Sequence, residues 1–399
     1  MAKILAAMSG GVDSSVAAAL LLEQGHEVVG AYMKNWTNEE GLPGDCPWEQ
    51  DIRDARAVCE SLGMEFRILN LMDAYRDRVV DYLLSGYDSG VTPNPDTMCN
   101  REMKFGILRD YALHQGFEGL ATGHYARLRT NQDGSRDLLR GSDGNKDQSY
   151  FLALLRQEQI REAWFPIGDL PKPRVRELAA RFGIPVAEKK DSQGICFIGD
   201  IRMSDFLAHF LPESPGDIVT PDGRVVGRHR GLHFYTLGQR RGVGVASNQH
   251  GKAFVVVAKR REPNHLVVAL EAPDTPLLWA TRCRVGSLGV TNRPLQKIGR
   301  LSAQPRYRCP AVRVQVNDWS PEGDADSFVM TFATPQRALT PGQVCAFYED
   351  DVLVGGGVFE EIFAEEAPAE AEKSTVAEPG EGAIFPATLP GEEWVTTQG

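Results

Sequence analysis

The chain lacks a CxxC pair, lacks any apolar run approaching the roughly 20 residues of a membrane span, and carries only seven cysteines among 399 residues. An odd count scattered over so long a chain argues against a disulfide framework and for a reducing, cytoplasmic setting. Without CxxC spacing, a tetrahedral four-cysteine zinc site has no basis. The N-terminus begins with a lysine and apolar residues, but Ser9–Asp13 interrupts them and no cleavage pattern follows. Neither export nor a membrane partner is therefore expected. Acidic residues are scarce in one place. Between Arg224 and Arg313 there are 17 Lys and Arg against three Asp and Glu, a local charge of +14 in a chain whose net charge is −11. Such a stretch is either a solvated face or the footprint of a phosphate backbone. What is present is ordinary for a folded protein: 42% hydrophobic and 24% charged residues, at a length that predicts two to three domains.

The first fifteen residues organise the rest. Lys3–Met8 reads as a short buried strand and Val16–Leu22 as a helix, joined by the tight turn Ser9-Gly10-Gly11-Val12-Asp13-Ser14-Ser15. Gly10 and Gly11 permit positive φ and let a ligand approach the backbone. The unpaired N–H groups at the helix start, the positive end of its dipole and three serine hydroxyls suit a phosphate or pyrophosphate. The turn has neither the GxxxxGK[ST] spacing and lysine of a Walker loop nor the GxGxxG of a dinucleotide fingerprint. Asp13 beside phosphates is tolerable mainly where Mg²⁺ bridges the two.

Further strands at 27–33, 65–71 and 120–125 alternate with helices at 47–62, 73–87 and 104–115, predicting an α/β domain with a parallel sheet covered on both faces. Ligands of such sheets bind at the carboxyl ends of the strands, so Gly10–Ser15, Met33 and Gly123-His124 should meet in one crevice. Arg127–Arg140 reads as a hairpin reaching outward, and 143–150 as a polar loop. From about Phe210 the pattern becomes short strands and turn dipeptides, and Val285–Phe363 suggests a small barrel. The expected divisions are 1–209, a small β-rich domain at 210–280, a barrel at 281–363 and a disordered acidic tail at 364–399.

Two loops carry cysteines in unusual settings. In Pro93-Asn94-Pro95-Asp96-Thr97-Met98-Cys99-Asn100, either Asp96 or Asn100 could cap the following helix. That would put Cys99 near a helix N-terminus, where a thiol pKa falls; the alternative is a small buried hydrophobe, which the Pro- and Asn-rich loop disfavours. Cys196 lies between Gly194 and Gly199 and follows Lys189 and Lys190, an electropositive setting that favours a thiolate. Cys59, Cys283, Cys309 and Cys345 sit in helix or strand patterns and read as packing residues, and Cys46 is undecided. Arg306-Tyr307-Arg308 is either a strand with exposed arginines or an aromatic between two guanidiniums that suits RNA.

Six strings occur in order: Ser9–Ser15, Pro93–Asn100, Ala121-Thr122-Gly123-His124-Tyr125, Lys146-Asp147-Gln148-Ser149-Tyr150, Gly194–Gly199 and Leu237–Gly242. Together they resemble the bacterial tRNA-specific 2-thiouridylase family, from Met1 to about Phe363. The resemblance implies an ATP-pyrophosphatase domain, a small central β-rich domain and a C-terminal β-barrel. It implies thiolation at C2 of the wobble uridine of tRNA, with ATP bound by Ala7, Met8, Ser9, Gly10, Gly11, Val12, Asp13, Ser14, Met33 and Gly123. Cys196 would carry persulfide sulfur and Cys99 would be the nucleophile, the two forming a transient disulfide, with Asp96 handling a proton. Asn94, Pro95 and Asp96 would meet the target base. His124, Lys146, Asp147, Gln148, Arg306, Tyr307 and Gln343 would meet tRNA. A rival account of the family places an iron–sulfur cluster on Asp96, Cys99 and Cys196. A sulfur-donor protein is an implied partner, and a monomer is the working expectation. An amide-forming synthetase with the same turn would have no use for two loop cysteines or a +14 stretch. A non-catalytic RNA-binding protein would not need the intact turn.

The tail from Ala364 carries eight Glu and one Lys and too little apolar surface to offset the entropy of ordering. Deleting 364–399 should leave thiolation intact and tRNA affinity equal or slightly higher; a large loss of activity in the truncated protein would show that the tail docks.

Overall fold

Describing residues 1–36, 48–190, 201–246, 252–291, 293, 295–320 and 327–363, the computed structural model divides its strands among three sheets. Cys46, Cys196 and the acidic tail lie outside these residues. The first sheet uses β1 (Lys3–Ala7), β2 (Glu27–Lys34), β3 (Phe66–Asn70) and β4 (Gly119–Ala121). After the hairpin β5 (Ala126–Thr130) and β6 (Arg136–Arg140), it adds β7 (Ala163–Trp164), a strand too short to carry a sequence signal. All neighbours run parallel in the order β3-β2-β1-β4-β7. Alternation along β1 sends Ile4 and Leu5 to opposite faces, which is why the sheet is covered twice. Ile4 packs with α1 (Val12–Glu23), α2 (Trp48–Ser61) and α3 (Lys172–Arg181). Leu5 packs with Phe105, Leu108 and Ala112 from the helical segments Cys99–Leu108 and Arg109–His114. The chain leaves β1 toward β2 and later returns on its other side as β4, so the order reverses beside the phosphate turn.

The helix expected from residue 104 begins earlier, at Pro95. Asn94 is its cap: Thr97 N–H donates to Asn94 Oδ1 at 3.2 Å, and Pro95, which has no N–H to lose, takes the first position. Neither Asp96 nor Asn100 does the capping.

A central four-stranded sheet contains β8 (Gly216–Val219), β9 (Val225–His229), β10 (Phe254–Arg260) and β11 (His265–Leu270), ordered β10-β11-β8-β9. It follows α4 (Met203–Phe210). The last six strands are β12 (Trp279–Val290), β13 (Leu301–Gln304), β14 (Val312–Ser320), β15 (Ser327–Arg337), β16 (Val344–Glu349) and β17 (Val352–Phe363). Pairing of β12 with both β15 and β17 closes them into a barrel filled by residues such as Phe328, Met330, Phe347 and Phe359. Cys283 and Cys345 face this core, as their strand pattern predicts.

The β5–β6 hairpin does not reach into open solvent. Leu138 and Leu139 of β6 pair with Leu353 and Val352 of β17, joining the first domain to the barrel wall. The two leucines decide this, because Leu138 fills the cluster around Phe105 while Leu139 packs on the barrel core. Beside them Asp137 has no solvent exposure and accepts from Arg129 at 2.5 Å, Asn131 at 3.1 Å and Arg293 at 3.3 Å. Removing one member of a buried pair strands the others, at a cost reduced here because both arginines are about half exposed. Asp137→Ala should therefore destabilise the protein by roughly 2 kcal/mol in urea unfolding; an unchanged midpoint would show that the junction does not depend on this carboxylate.

Candidate active site

At the carboxyl end of β1 the chain turns through Gly10, whose φ is +73°, and enters α1 at Gly11 with no side-chain cap. A Cβ at Gly10 would lie 2.5 Å from the carbonyl oxygen of Asp51, so only glycine lets α2 press against the turn. Ser14 Oγ donates to the Gly11 carbonyl at 3.1 Å and accepts from Ser9 N–H at 3.2 Å, while Ser15 Oγ donates to the same carbonyl at 2.8 Å. The hydroxyls thus brace the turn, and the first amides of α1 keep the orientation that receives an anion. Gly123 closes the opposite wall: a Cβ there would meet Ser14 N at 2.6 Å and the Asp13 carbonyl carbon at 2.7 Å. Met33, at the end of β2, turns into the cluster with Leu5 and Phe105. The turn and Gly123 are in contact, and Met33 ends the neighbouring strand of the same sheet edge.

Three side chains at the turn are not among the site residues expected from the sequence. Lys172, at the start of α3, gives its ammonium to both Asp13 oxygens at 2.7 and 2.9 Å. Tyr125 OH donates to Asp13 Oδ1 at 2.8 Å. Lys189 donates to the Gly10 carbonyl at 3.1 Å, to Asp51 at 2.8 Å and to Asp54 at 2.6 Å. Burial pulls the Lys189 pKa down, but the two carboxylates outweigh it and leave the value raised. Its charge is thus matched by Asp51 and Asp54 of α2. Only the 159-residue separation of Lys172 from Asp13 hides the pair from sequence reading.

The loop Pro93–Asn100 departs most from expectation. Cys99 is 1% exposed and packs among Trp36, Tyr75, Val79, Met103 and Phe206. Because the helix starts at Pro95, Cys99 and Met103 fall one turn apart on its inner side, under α4. Burial therefore wins over the exposed setting that the prolines and asparagines suggest. Asn94, Pro95 and Asp96 remain half-buried at the mouth of the same turn. Asp96 and Cys99 are two of the three ligands of the implied cluster, and the third, Cys196, lies outside the described residues. Among the described residues no group of three His, Cys, Asp or Glu is placed to hold a metal ion. None of the described cysteines is in a disulfide.

The remaining site residues are mostly committed to the protein itself. His124 is buried between Phe105 and Phe165, its Nδ1 2.7 Å from Thr122 Oγ1, and burial holds its pKa well below the usual histidine value. Gln148 Oε1 accepts from Tyr125 N–H at 3.0 Å. Asp147 accepts from Gly141 and Ser149 N–H, each at 3.0 Å, and from Arg140 at 2.9 Å. Lys146 is half-buried in the same loop. Arg306 is held by the Ala338 carbonyl and Tyr307 packs on Phe151 as a tilted pair, ring centroids 4.5 Å apart, which leaves Arg308 as the exposed guanidinium of that string. Gln343 donates to the carbonyls of Thr92 and Pro93. No described helix is long and apolar enough to cross a membrane.

Three family models match in succession: a tRNA methyl transferase HUP domain over residues 2–200, a tRNA methyl transferase PRC-barrel domain over 204–270 and an aminomethyltransferase beta-barrel domain over 281–359. Among curated proteins, tRNA-specific 2-thiouridylase MnmA of Akkermansia muciniphila is 57% identical over 362 residues, covering 91% of this chain and 99% of the relative. The protein of the same name from Pseudomonas aeruginosa is 44% identical over 361 residues, covering 90% and 94%. Solved structures give weaker likenesses. A 4-thiouridine synthetase–RNA complex with bound ATP has TM-score 0.33 and 19% identity over 50% of this chain and 46% of that one. NMN synthetase from Francisella tularensis has TM-score 0.30 and 18% identity, over 48% and 66%. Neither is close enough to speak to chemistry.

The close approach at Gly123 generates a direct test. Gly123→Ala should push the backbone at Asp13 and Ser14 aside and weaken binding of ATP at least about 10-fold, since loops that position phosphates lose much of their effect on small displacements. Calorimetric titration with full affinity retained would show that this wall is not part of the nucleotide site.

Proposed function

The chain belongs to the tRNA-specific 2-thiouridylase family, and from that membership we propose that it replaces the C2 oxygen of the wobble uridine of tRNA with sulfur at the expense of ATP. The reading is carried by identity of 57% over 362 residues, 91% of this chain and 99% of the relative. ATP would lie with its phosphates on the amides of α1, braced by Ser9, Gly10, Gly11, Val12 and Ser14 and walled by Gly123, with Ala7, Met8 and Met33 beside the nucleoside. Asp13 would be the carboxylate that holds a Mg²⁺, an ion that needs only one or two protein carboxylates beside phosphate oxygens. When bound, the ion would screen charge on the phosphates. Lys172, at present on Asp13, would then be free to turn to them.

A uracil carbonyl oxygen leaves poorly. Its attack on the α-phosphorus would expel pyrophosphate and convert it into the leaving group AMP. The terminal sulfur of a persulfide on Cys196, loaded by a donor protein, would add at C2 and displace AMP. Attack by the Cys99 thiolate on the Cys196 sulfur would then leave the new sulfur on the base and form a Cys99–Cys196 disulfide, which an external thiol reduces. Asp96, three residues before Cys99, would manage the proton. Because Cys99 is buried at rest among residues such as Trp36, Tyr75 and Phe206, it must become exposed before this step. The protein is read as a monomer acting in the cytoplasm.

With labelled ATP and tRNA the products should be AMP and pyrophosphate. Cys99→Ser and Cys196→Ser should each abolish 2-thiouridine while leaving tRNA binding near normal. Release of ADP, or a Cys196→Ser enzyme that still thiolates, would contradict the reading.

A further inference from the structure

The loop entering the target-base site is held from outside its own domain. Gln343, in the barrel turn before β16, donates from one nitrogen to Thr92 O at 2.7 Å and to Pro93 O at 3.3 Å. Thr92 N–H returns a bond to Pro341 O at 2.9 Å. Between them Gly342, with φ +89°, comes so near that a Cβ would lie 2.9 Å from Thr92 N and C. The turn is itself fixed to β17, because Gly342 N–H donates to Phe359 O at 2.8 Å and Phe359 N–H to Gln343 O at 2.9 Å. On the far side, Pro93 presses on Gly86, where a Cβ would stand 2.1 Å from its ring. At the start of the loop, Arg261 donates to Ser89 O at 3.2 Å and Lys259 to Gly90 O at 3.4 Å, both from the central domain.

We infer that Gln343 is a positioning residue: it sets the path of the base loop from the barrel rather than spending its amide on RNA. The inference rests on the reading that Asn94, Pro95 and Asp96 receive the uridine. The two carbonyls it holds immediately precede Asn94. Pro93 and Pro95 fix φ on either side, so an orientation imposed at Thr92 and Pro93 passes to Asn94–Asp96 with little slack. Both bonds come from the Nε2 amide, and none of its partners is a side chain, so the grip does not depend on the identity of residue 92.

The test uses the full-length protein with Gln343→Leu, which removes the donor at similar size, and Gln343→Glu, which aims a carboxylate at two carbonyls. In the absence of RNA, hydrogen exchange at the Thr97 and Met98 amides should rise about 10-fold or more, because their helix start loses its anchor. Single-turnover thiolation at saturating tRNA should fall about 10- to 100-fold, the usual penalty of a misplaced reacting group. The tRNA dissociation constant should stay within about two-fold, since removing a group bonded directly to RNA would weaken binding by more. Weakened binding with a normal saturated rate would overturn the inference in favour of a direct bond to RNA. Unchanged exchange and rate in both variants would overturn it outright. Faster exchange with normal rate and affinity would show a real clamp on a loop that does not receive the base, which defeats the reading beneath the inference.

Discussion

A carboxylate at the mouth of a phosphate site must be neutralised, and much of this architecture follows from how that is done for Asp13. Lys172 supplies the charge and Tyr125 a hydroxyl, both from segments far away in sequence. Tyr125 is in turn held at its backbone by Gln148, whose neighbour Asp147 binds Arg140. Arg140 reaches Gln304 of β13 at 3.1 Å, and its guanidinium stands 3.6 Å from the ring centroid of Tyr348 in β16. The turn is thereby joined to the barrel by hydrogen bonds connected through the covalent steps at Tyr125 and Asp147-Gln148. Such bonds are costly to break inside a protein, because each orphaned group pays its full desolvation cost.

The base loop is governed in the same way. Its helix is started by Asn94, its path is gripped by the barrel turn and the central sheet, and its thiol is sealed by α4. Residues expected to contact RNA are thus mostly engaged with the protein itself. The basic stretch Arg224–Arg313 spans parts of both domains that grip the loop.

Much of this was legible in the sequence where local chemistry decides the outcome. The glycines and serines of the turn, the alternation of buried strands and helices, and the barrel strands with inward Cys283 and Cys345 all act over a few residues. What was hidden depends on distance in sequence. Lys172 reveals nothing until it meets Asp13. The hairpin's leucines point outward only until β17 is beside them. The burial of Cys99 is hidden for a different reason: polar loop composition suggests exposure, but a helix cap at Asn94 turns the thiol inward. His124 was likewise read from its motif, and its aromatic neighbours place it in the core.

In the proposed reaction the uridine oxygen, rather than water or a protein group, attacks ATP. The most direct measurement follows that atom. A tRNA carrying heavy oxygen at C2 of the wobble uridine is incubated with ATP, enzyme and a persulfide donor, and the products are weighed by mass spectrometry. The account predicts one heavy oxygen in AMP for each 2-thiouridine formed and none in pyrophosphate. Heavy oxygen released to water, or 2-thiouridine formed with unlabelled AMP, would contradict it.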